Sequence, residues 1–360
     1  MKIKIKLSGL AVTTTLMLII AVTMSLFSCG ADEKALQLGA ERAANNEADV
    51  TEGMIGAIKA ASLKKYPSGL IKRFNQSKTL GCFEASMTVA KNLPDELRQG
   101  IFSKETTYSA KIRFSNATKQ DDTKKDFRGM SIKLSGIEGP SIWGEDGEQD
   151  FTLNSYPALF AANPDDFLEF IGATGDDKRW RYFIRPSHFY SLKIALKGRE
   201  KINNPFAIRY WSTTPYRLGL GKGKAVKYSA QSCSNFSENV NVKKSESFLS
   251  EVMAEQLKRT SACFEFMVQI QKDPNTMPIE NAAVIWDEEQ SPFIKVAEIT
   301  IEDQNFTSTE ELKACESISF NPWQSIEEHR PIGGINRVRR AVYSEIADFR
   351  RDENARRGLR

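Results

Sequence analysis

Between residues 82 and 154 the chain reads in short runs in which apolar and polar residues alternate: 82–90, 108–115, 129–134 and 151–154. Each run is bounded by Gly, Pro, Asn or charged residues, the pattern of β-strands separated by turns. Further runs of this kind fall at 206–211, 225–232, 263–271 and 293–301. Helical spacing predicts helices at 164–173, at about 188–197, at about 248–258 and from about 338 to the C-terminus. At the first of these Asn163 can cap and Pro164 can take the first helical position. Upstream, residues 31 to about 65 are rich in Ala, Glu and Lys, with Leu36, Ala40, Ala43 and Ala44 at helical spacing, which predicts a helical arm. Many strands with helices inserted and appended predict an α+β domain around an antiparallel barrel or sandwich. No internal repeat is visible.

The N-terminus follows a different rule. Lys2, Lys4 and Lys6 precede a charge-free stretch from 7 to 28, the layout of a secretory signal. A run of about 20 apolar residues could also span a bilayer as a retained anchor. The stretch ends in Cys29 after small and branched residues, which resembles a bacterial lipobox. Residues 1–28 are therefore expected to be a lipoprotein signal, 29–64 a tether and helical arm, and 65–360 the folded domain. Cys29 would carry the acyl chains, since stable anchoring takes two. The mature protein would be lipid-anchored in the bacterial cell envelope, facing the periplasm or the outside.

Composition adds exclusions. With 360 residues, 41% hydrophobic and 27% charged, the chain is ordinary globular protein that can build a core without a metal or a disulfide. Its charge, 50 − 46 = +4, falls to +1 without the three leader lysines, so no nucleic-acid partner is implied. Export makes Cys82, Cys233, Cys263 and Cys315 eligible for disulfides in three connectivities. Cys82 and Cys263 open apolar runs, so buried free thiols fit equally well. No CxxC pair supports zinc.

Most polar clusters have plain explanations. The Gly219-Leu-Gly221-Lys-Gly223 stretch precedes a strand-like run and reads as a hairpin turn rather than a phosphate cradle. Asp121-Asp122 lacks the glycine and distal glutamate of a calcium loop. The two histidines, His188 and His329, sit in no recognisable nucleophile context. The last helix is more informative. Arg339 lies four residues before Tyr343 and Arg350 seven after it, so all three share one helical face. A neighbouring arginine favours the phenolate form of a tyrosine, a hard anionic ligand suited to ferric iron. Arg350 would stand roughly 10 Å along the axis, within reach of a porphyrin carboxylate.

Arg339-Arg-Ala-Val-Tyr343 resembles the catalase pattern of an arginine four residues before the tyrosine that ligates heme iron. The resemblance runs from about residue 65 to 351. Ile112-Arg113-Phe114-Ser115 looks like the distal-pocket strand, and Asp126-Phe-Arg128-Gly129-Met130 like the loop and strand that follow. Asn154-Ser-Tyr-Pro157 matches the distal asparagine, and Phe167 the phenylalanine packed on the porphyrin. Tyr210-Trp-Ser-Thr-Thr-Pro215-Tyr216-Arg217, Ser291-Pro292-Phe293 and Phe320-Asn321-Pro322-Trp323 are similar to a shorter branch of catalase-like proteins. The resemblance implies a heme-dependent catalase-like antiparallel β-barrel with surrounding helices and a b-type heme. Tyr343 would be the iron ligand, with Arg339 beside it. Arg73, Arg113 and Arg350 would pair with the propionates, and Gln76, Ser115 and Asn154 would line the distal side.

One departure bears on the chemistry. In Arg73-Phe-Asn75-Gln76-Ser-Lys78-Thr-Leu80-Gly81-Cys82, Gln76 stands where the family's distal histidine belongs. Glutamine exchanges hydrogen bonds but cannot shuttle a proton near neutral pH, and a positioned acid-base group contributes on the order of 10²- to 10⁴-fold. The expected function is a heme peroxidase or an enzyme processing organic or lipid hydroperoxides, with weak catalase activity. Family relatives that rearrange fatty-acid hydroperoxides make lipid substrates an option for a membrane-anchored member. The alternative is heme binding, transfer or sensing at the envelope without turnover.

Overall fold

The structure is a computed structural model that describes residues 37–176, 178–221, 223–233 and 242–359. The compact unit Leu38–Arg360 holds every helix and strand named below. Its nine strands are β1 (Lys78–Val89), β2 (Thr107–Asn116), β3 (Arg128–Ser135), β4 (Glu148–Asn154), β5 (Tyr210–Trp211), β6 (Tyr216–Leu218), β7 (Lys224–Ser232), β8 (Ala262–Ile270) and β9 (Ile294–Ile301). They are ordered β5-β4-β3-β2-β1-β9-β8-β7-β6, and β5 also pairs with β7. Eight strands thus close into an antiparallel barrel, and β6 continues along the edge of β7 that β5 has already taken. Closure leaves no open edge on the ring.

The alternation read from the sequence separates the two faces of these strands. Phe83, Phe114, Phe151, Tyr228, Phe264 and Phe266 point inward and are fully buried. Most of their rings meet edge-on or tilted, as between Phe83 and Phe114 at 5.8 Å and Phe151 and Tyr228 at 4.9 Å, while Tyr228 and Phe266 stack. His329 is enclosed with them. Its Nε2 accepts the Ile101 N–H at 3.0 Å, so Nδ1 carries the proton and donates to the Tyr228 hydroxyl oxygen at 2.8 Å. Burial pushes its pKa down to about 3, so this histidine is neutral.

Seven α-helices surround the barrel among the described residues: α1 (Glu47–Lys65), α2 (Pro164–Gly175), α3 (Arg179–Phe183), α4 (Phe189–Lys197), α5 (Phe248–Leu257), α6 (Thr309–Ser317) and α7 (Gly334–Arg356). Val50, Met54 and Ile58 of α1 pack with Ile171 of α2 and with Val338 and Val342 of α7. At the head of α2 the Asn163 side chain accepts the Asp166 N–H at 3.0 Å and Pro164 occupies the first turn, as expected. Arg337 of α7 pairs with Glu41, Glu47 and Glu280, which ties the N-terminal arm to the last helix. None of the described helices is long and apolar enough to cross a membrane. The apolar stretch 7–28 and Cys29 lie outside the described residues.

Several expectations change. The arm becomes helical only at Glu47, and residues 37–46 are not helix. The strand expected at 206–211 is reduced to Tyr210–Trp211 because Pro205 opens a 3-10 turn, with the Asn204 side chain accepting the Phe206 N–H at 2.9 Å. The Gly219–Gly223 stretch is the β6–β7 turn, with Gly219 and Gly221 at φ 91° and 60°. The free-thiol alternative does not hold, since Cys82 pairs with Cys315 and Cys233 with Cys263. Cys82 neighbours the inward Phe83 on β1 and therefore points outward, where α6 brings Cys315 to it.

Candidate functional site

A cavity of about 1510 Å³ lies on the outer side of the barrel and is bounded by α1, α2, α6 and α7. Arg73, Asn154, Phe167, Arg339, Tyr343 and Arg350 all line it. The helical spacing of Arg339, Tyr343 and Arg350 does what it predicted and brings three side chains of α7 to one wall. Met54, Ile58 and Ala61 of α1 and an aromatic group from Phe160, Phe167 and Phe170 supply apolar surface. Phe167 and Phe170 lie nearly parallel, with centroids 6.4 Å apart and an interplanar angle of 13°.

Arg339 is held by neighbours that sequence reasoning missed. Its Nη1 donates to Thr214 Oγ1 at 3.1 Å and to Asn336 Oδ1 at 3.2 Å, and its guanidinium carbon lies 6.0 Å from the Tyr343 ring centroid. Asn336 is fully buried and donates to the carbonyls of Pro215 and Ile332 at 2.7 and 3.0 Å. Thr214 lies inside the Tyr210–Arg217 motif, which was the available signal. Among the described residues the Tyr343 hydroxyl has no hydrogen-bond partner, and Tyr343 lines the cavity.

Behind the opposite wall runs a row across four strands, of which Asn154 reaches the cavity. Thr79 pairs with Ser115, Ser115 with Gly129, and Gly129 with Asn154, while Phe114, Met130 and Leu153 turn inward beside them. A bulge between Thr79 and Gly81 reorients β1 at this point. Gln76 sits over Gly129 with a positive φ of 56°, and its Oε1 accepts the Ser115 hydroxyl at 2.9 Å. A Cβ on Gly129 would stand 2.4 Å from Gln76 Oε1 and 2.8 Å from Ser115 Oγ, so glycine is needed for this approach. Asn154 and Asn75 reach the cavity, whereas Gln76 and Ser115 form a hydrogen-bonded pair behind its surface.

Arg73, Arg113 and Arg350 converge on Glu316 of α6, a residue that the sequence reading did not single out. Arg73 ion-pairs directly with its carboxylate and donates to the Ile318 carbonyl at 2.7 Å. Arg113 lies behind the cavity surface and donates to Thr79 Oγ1 and the Gln76 carbonyl, both at 2.8 Å. Burial, reinforced by Arg73, lowers Arg113 to about 9 and Arg350 to about 10. Burial opposes ionisation of Glu316, but Arg73 and Arg113 outweigh it and hold the carboxyl below its usual range. The cluster carries 3 − 1 = +2, a surplus suited to anionic ligand groups. Two other groupings among the described residues have metal-ligand side chains, Asp166/Glu169/His188 and Cys233/Cys263/Glu298, and the second is closed by its disulfide.

The closed antiparallel barrel with its flanking helices is the catalase-like fold. No family model matches the chain. A fungal catalase superposes with a TM-score of 0.63 at 15% identity, covering 80% of this chain and 60% of its own. Catalase A from Saccharomyces cerevisiae gives 0.62 at 16%, with 80% and 62% covered. A bacterial catalase gives 0.59 at 16%, with 89% and 64% covered. By sequence the chain is similar to an allene oxide synthase-lipoxygenase protein of Plexaura homomalla, 23% identical over 284 residues. That match covers 70% of this chain and 26% of the relative, so the chain corresponds to about a quarter of that protein's length.

Proposed function

We propose that the cavity holds a heme and that the protein acts on peroxides, organic hydroperoxides in preference to hydrogen peroxide. One observation carries the reading: a single cavity is lined by Tyr343 backed by Arg339, by Asn154 from the strand row, and by Arg73 and Arg350 of the charged cluster. The donor set fits the group. The phenol oxygen suits ferric iron, Phe167 offers a ring for the porphyrin face, and the +2 surplus matches two propionates. When bound, such a heme supplies an iron centre at which a peroxide O–O bond can be cleaved. Arg339, fixed by Thr214 and Asn336, keeps positive charge beside the phenol and favours its anionic form. Asn154 offers an amide to orient a peroxide at the cavity surface. Gln76 holds Ser115 but cannot accept and return a proton, so the step that needs a mobile proton is left without a side-chain base there. The apolar lining and the named relative support a lipid hydroperoxide as substrate.

A second reading, heme binding without turnover, draws on the same glutamine. An absorption spectrum of the purified protein followed by titration with hydrogen peroxide and then a fatty-acid hydroperoxide separates the two. Turnover of the second supports the enzyme, spectral binding without turnover supports the carrier, and absence of a heme spectrum overturns both. We further place the protein at the bacterial cell envelope, anchored through acylated Cys29. Cys29→Ser should then release it from the membrane fraction or stall its processing, and mature-sized Cys29→Ser protein in the pellet would count against the lipid anchor.

A further inference from the structure

The stretch 178–199 contains seven Lys or Arg residues and no Asp or Glu. It forms α3, a 3-10 turn at Pro186–His188, and α4. One side is firmly seated. Tyr182, His188, Ile194 and Ala195 are buried, Tyr182 stacks on His188 at 4.1 Å, and His188 Nε2 lies 3.3 Å from Asp166 of α2. The same stretch leaves Trp180, Ile184, Phe189, Tyr190 and Leu196 at 45–68% exposure, with the Tyr190 hydroxyl donating to the Ala283 carbonyl. These are five of the ten large exposed hydrophobics among the described residues, gathered into seventeen positions. Isolated exposed apolar side chains need no explanation, but this concentration in one short segment does.

We propose that this face docks on an anionic lipid surface and sets the cavity mouth against it. Exposed aromatic and aliphatic side chains interleaved with cations are the composition of an interfacial helix, whose apolar side enters the headgroup region while Lys and Arg meet lipid phosphates. Lys178, Lys193 and Lys197 have no ion pair among the described residues, and Arg181 lies over the Trp180 ring at 5.5 Å. A second copy of the chain is a poor occupant, because a two-fold contact would set this net-cationic patch, in which Arg185 alone of the described Lys and Arg residues is paired with an acid, Glu169, against itself. Arg179 and Phe183 of α3, Ala195 of α4 and Arg199 just beyond it also line the large cavity, and Arg179 is at the same time exposed, so the segment that carries the patch borders the cavity. An amphiphile could pass from the bilayer into the cavity without crossing water. The docking rests on this surface alone and stands whether or not the cavity holds a heme.

The test uses the full chain reconstituted into phosphatidylcholine vesicles with or without phosphatidylglycerol, footprinted with a water-soluble amine reagent and read by mass spectrometry. Labelling of Lys193 and Lys197 should fall roughly fivefold or more on the anionic vesicles, the factor that one surface charge is worth. Lys91, exposed on the loop after β1, should label equally in both. Replacing exposed Trp180 and Leu196 by Ser should restore labelling on anionic vesicles without disturbing the seated side. Equal labelling of Lys193 and Lys197 in the two vesicle types would overturn the proposal. So would protection that grows with protein concentration in the absence of lipid, which would assign the patch to a second copy.

Discussion

The same strands show two chemistries on their two faces. Inward, Phe114, Met130 and Leu153 join a buried aromatic core whose imidazole, His329, is held neutral by burial and two hydrogen bonds. Outward, one residue away, Arg113, Ser115, Gly129 and Asn154 carry charge, a hydroxyl, a close backbone approach and an amide. A period of two suffices to place a sealed core and a polar site back to back, because a strand turns successive side chains to opposite sides. The difference is that the inner face needs only volume and satisfied hydrogen bonds, whereas the outer face keeps three guanidiniums near one carboxylate, an arrangement that a bound anion would complete.

Substitutions can test each face against the other. The largest effect is expected on the outer side. Tyr343→Phe keeps the ring and removes the ligand atom, so the charge-transfer bands of a tyrosinate heme and hydroperoxide turnover should both vanish while thermal stability is kept. A wild-type spectrum in that variant would remove Tyr343 from the site.

On the inner face the effect is one of stability. The His329 pKa is depressed to about 3 in the folded chain, below the unfolded value. Stability from this group is therefore complete above about pH 6.5 and is lost as pH falls from there toward 3. The loss is on the order of several kcal/mol. Denaturant titrations across that range should show a slope that is reduced in His329→Gln, and an identical slope in the variant would contradict the assignment.

Gly129→Ala should cost about 1–3 kcal/mol, because its Cβ would collide with Gln76 and Ser115. The damage should appear as altered peroxide binding at the cavity more than as a loosened aromatic core, and near-ultraviolet circular dichroism can tell these apart. Gln76→His is the smallest change and the only expected gain. Hydrogen peroxide breakdown per bound heme should rise at least about tenfold, the low end for an acid-base group. No rise would mean that the pair behind the cavity surface does not open to let position 76 reach a peroxide.

Legibility followed the length over which a pattern acts. Arg339, Tyr343 and Arg350 were readable because one helix carries them, and the Asn163–Pro164 start of α2 because its signal is local. Glu316 was invisible: it belongs to a short helix brought to β1 through Cys315 and Cys82, 233 residues apart in the chain. Thr214 escaped as a partner of Arg339 for the same reason, lying on a distant loop, whereas Asn336 sits three residues before Arg339 on the same helix and was within reach of the spacing argument. The strand at 206–211 was overestimated because an apolar run does not reveal that Asn204 and Pro205 turn the backbone first.

By itself the sequence determined the alternation that makes the strands, the face of the last helix, and the glutamine at position 76, all of them properties of neighbouring residues under a fixed backbone period. Only the tertiary structure decided that β5 meets β7 and closes the ring, that Thr79, Ser115, Gly129 and Asn154 fall into one row, and that three arginines share one glutamate. Those depend on register and packing between distant segments, where each contact offsets the chain entropy of closing a long loop and no local period records which partner was chosen.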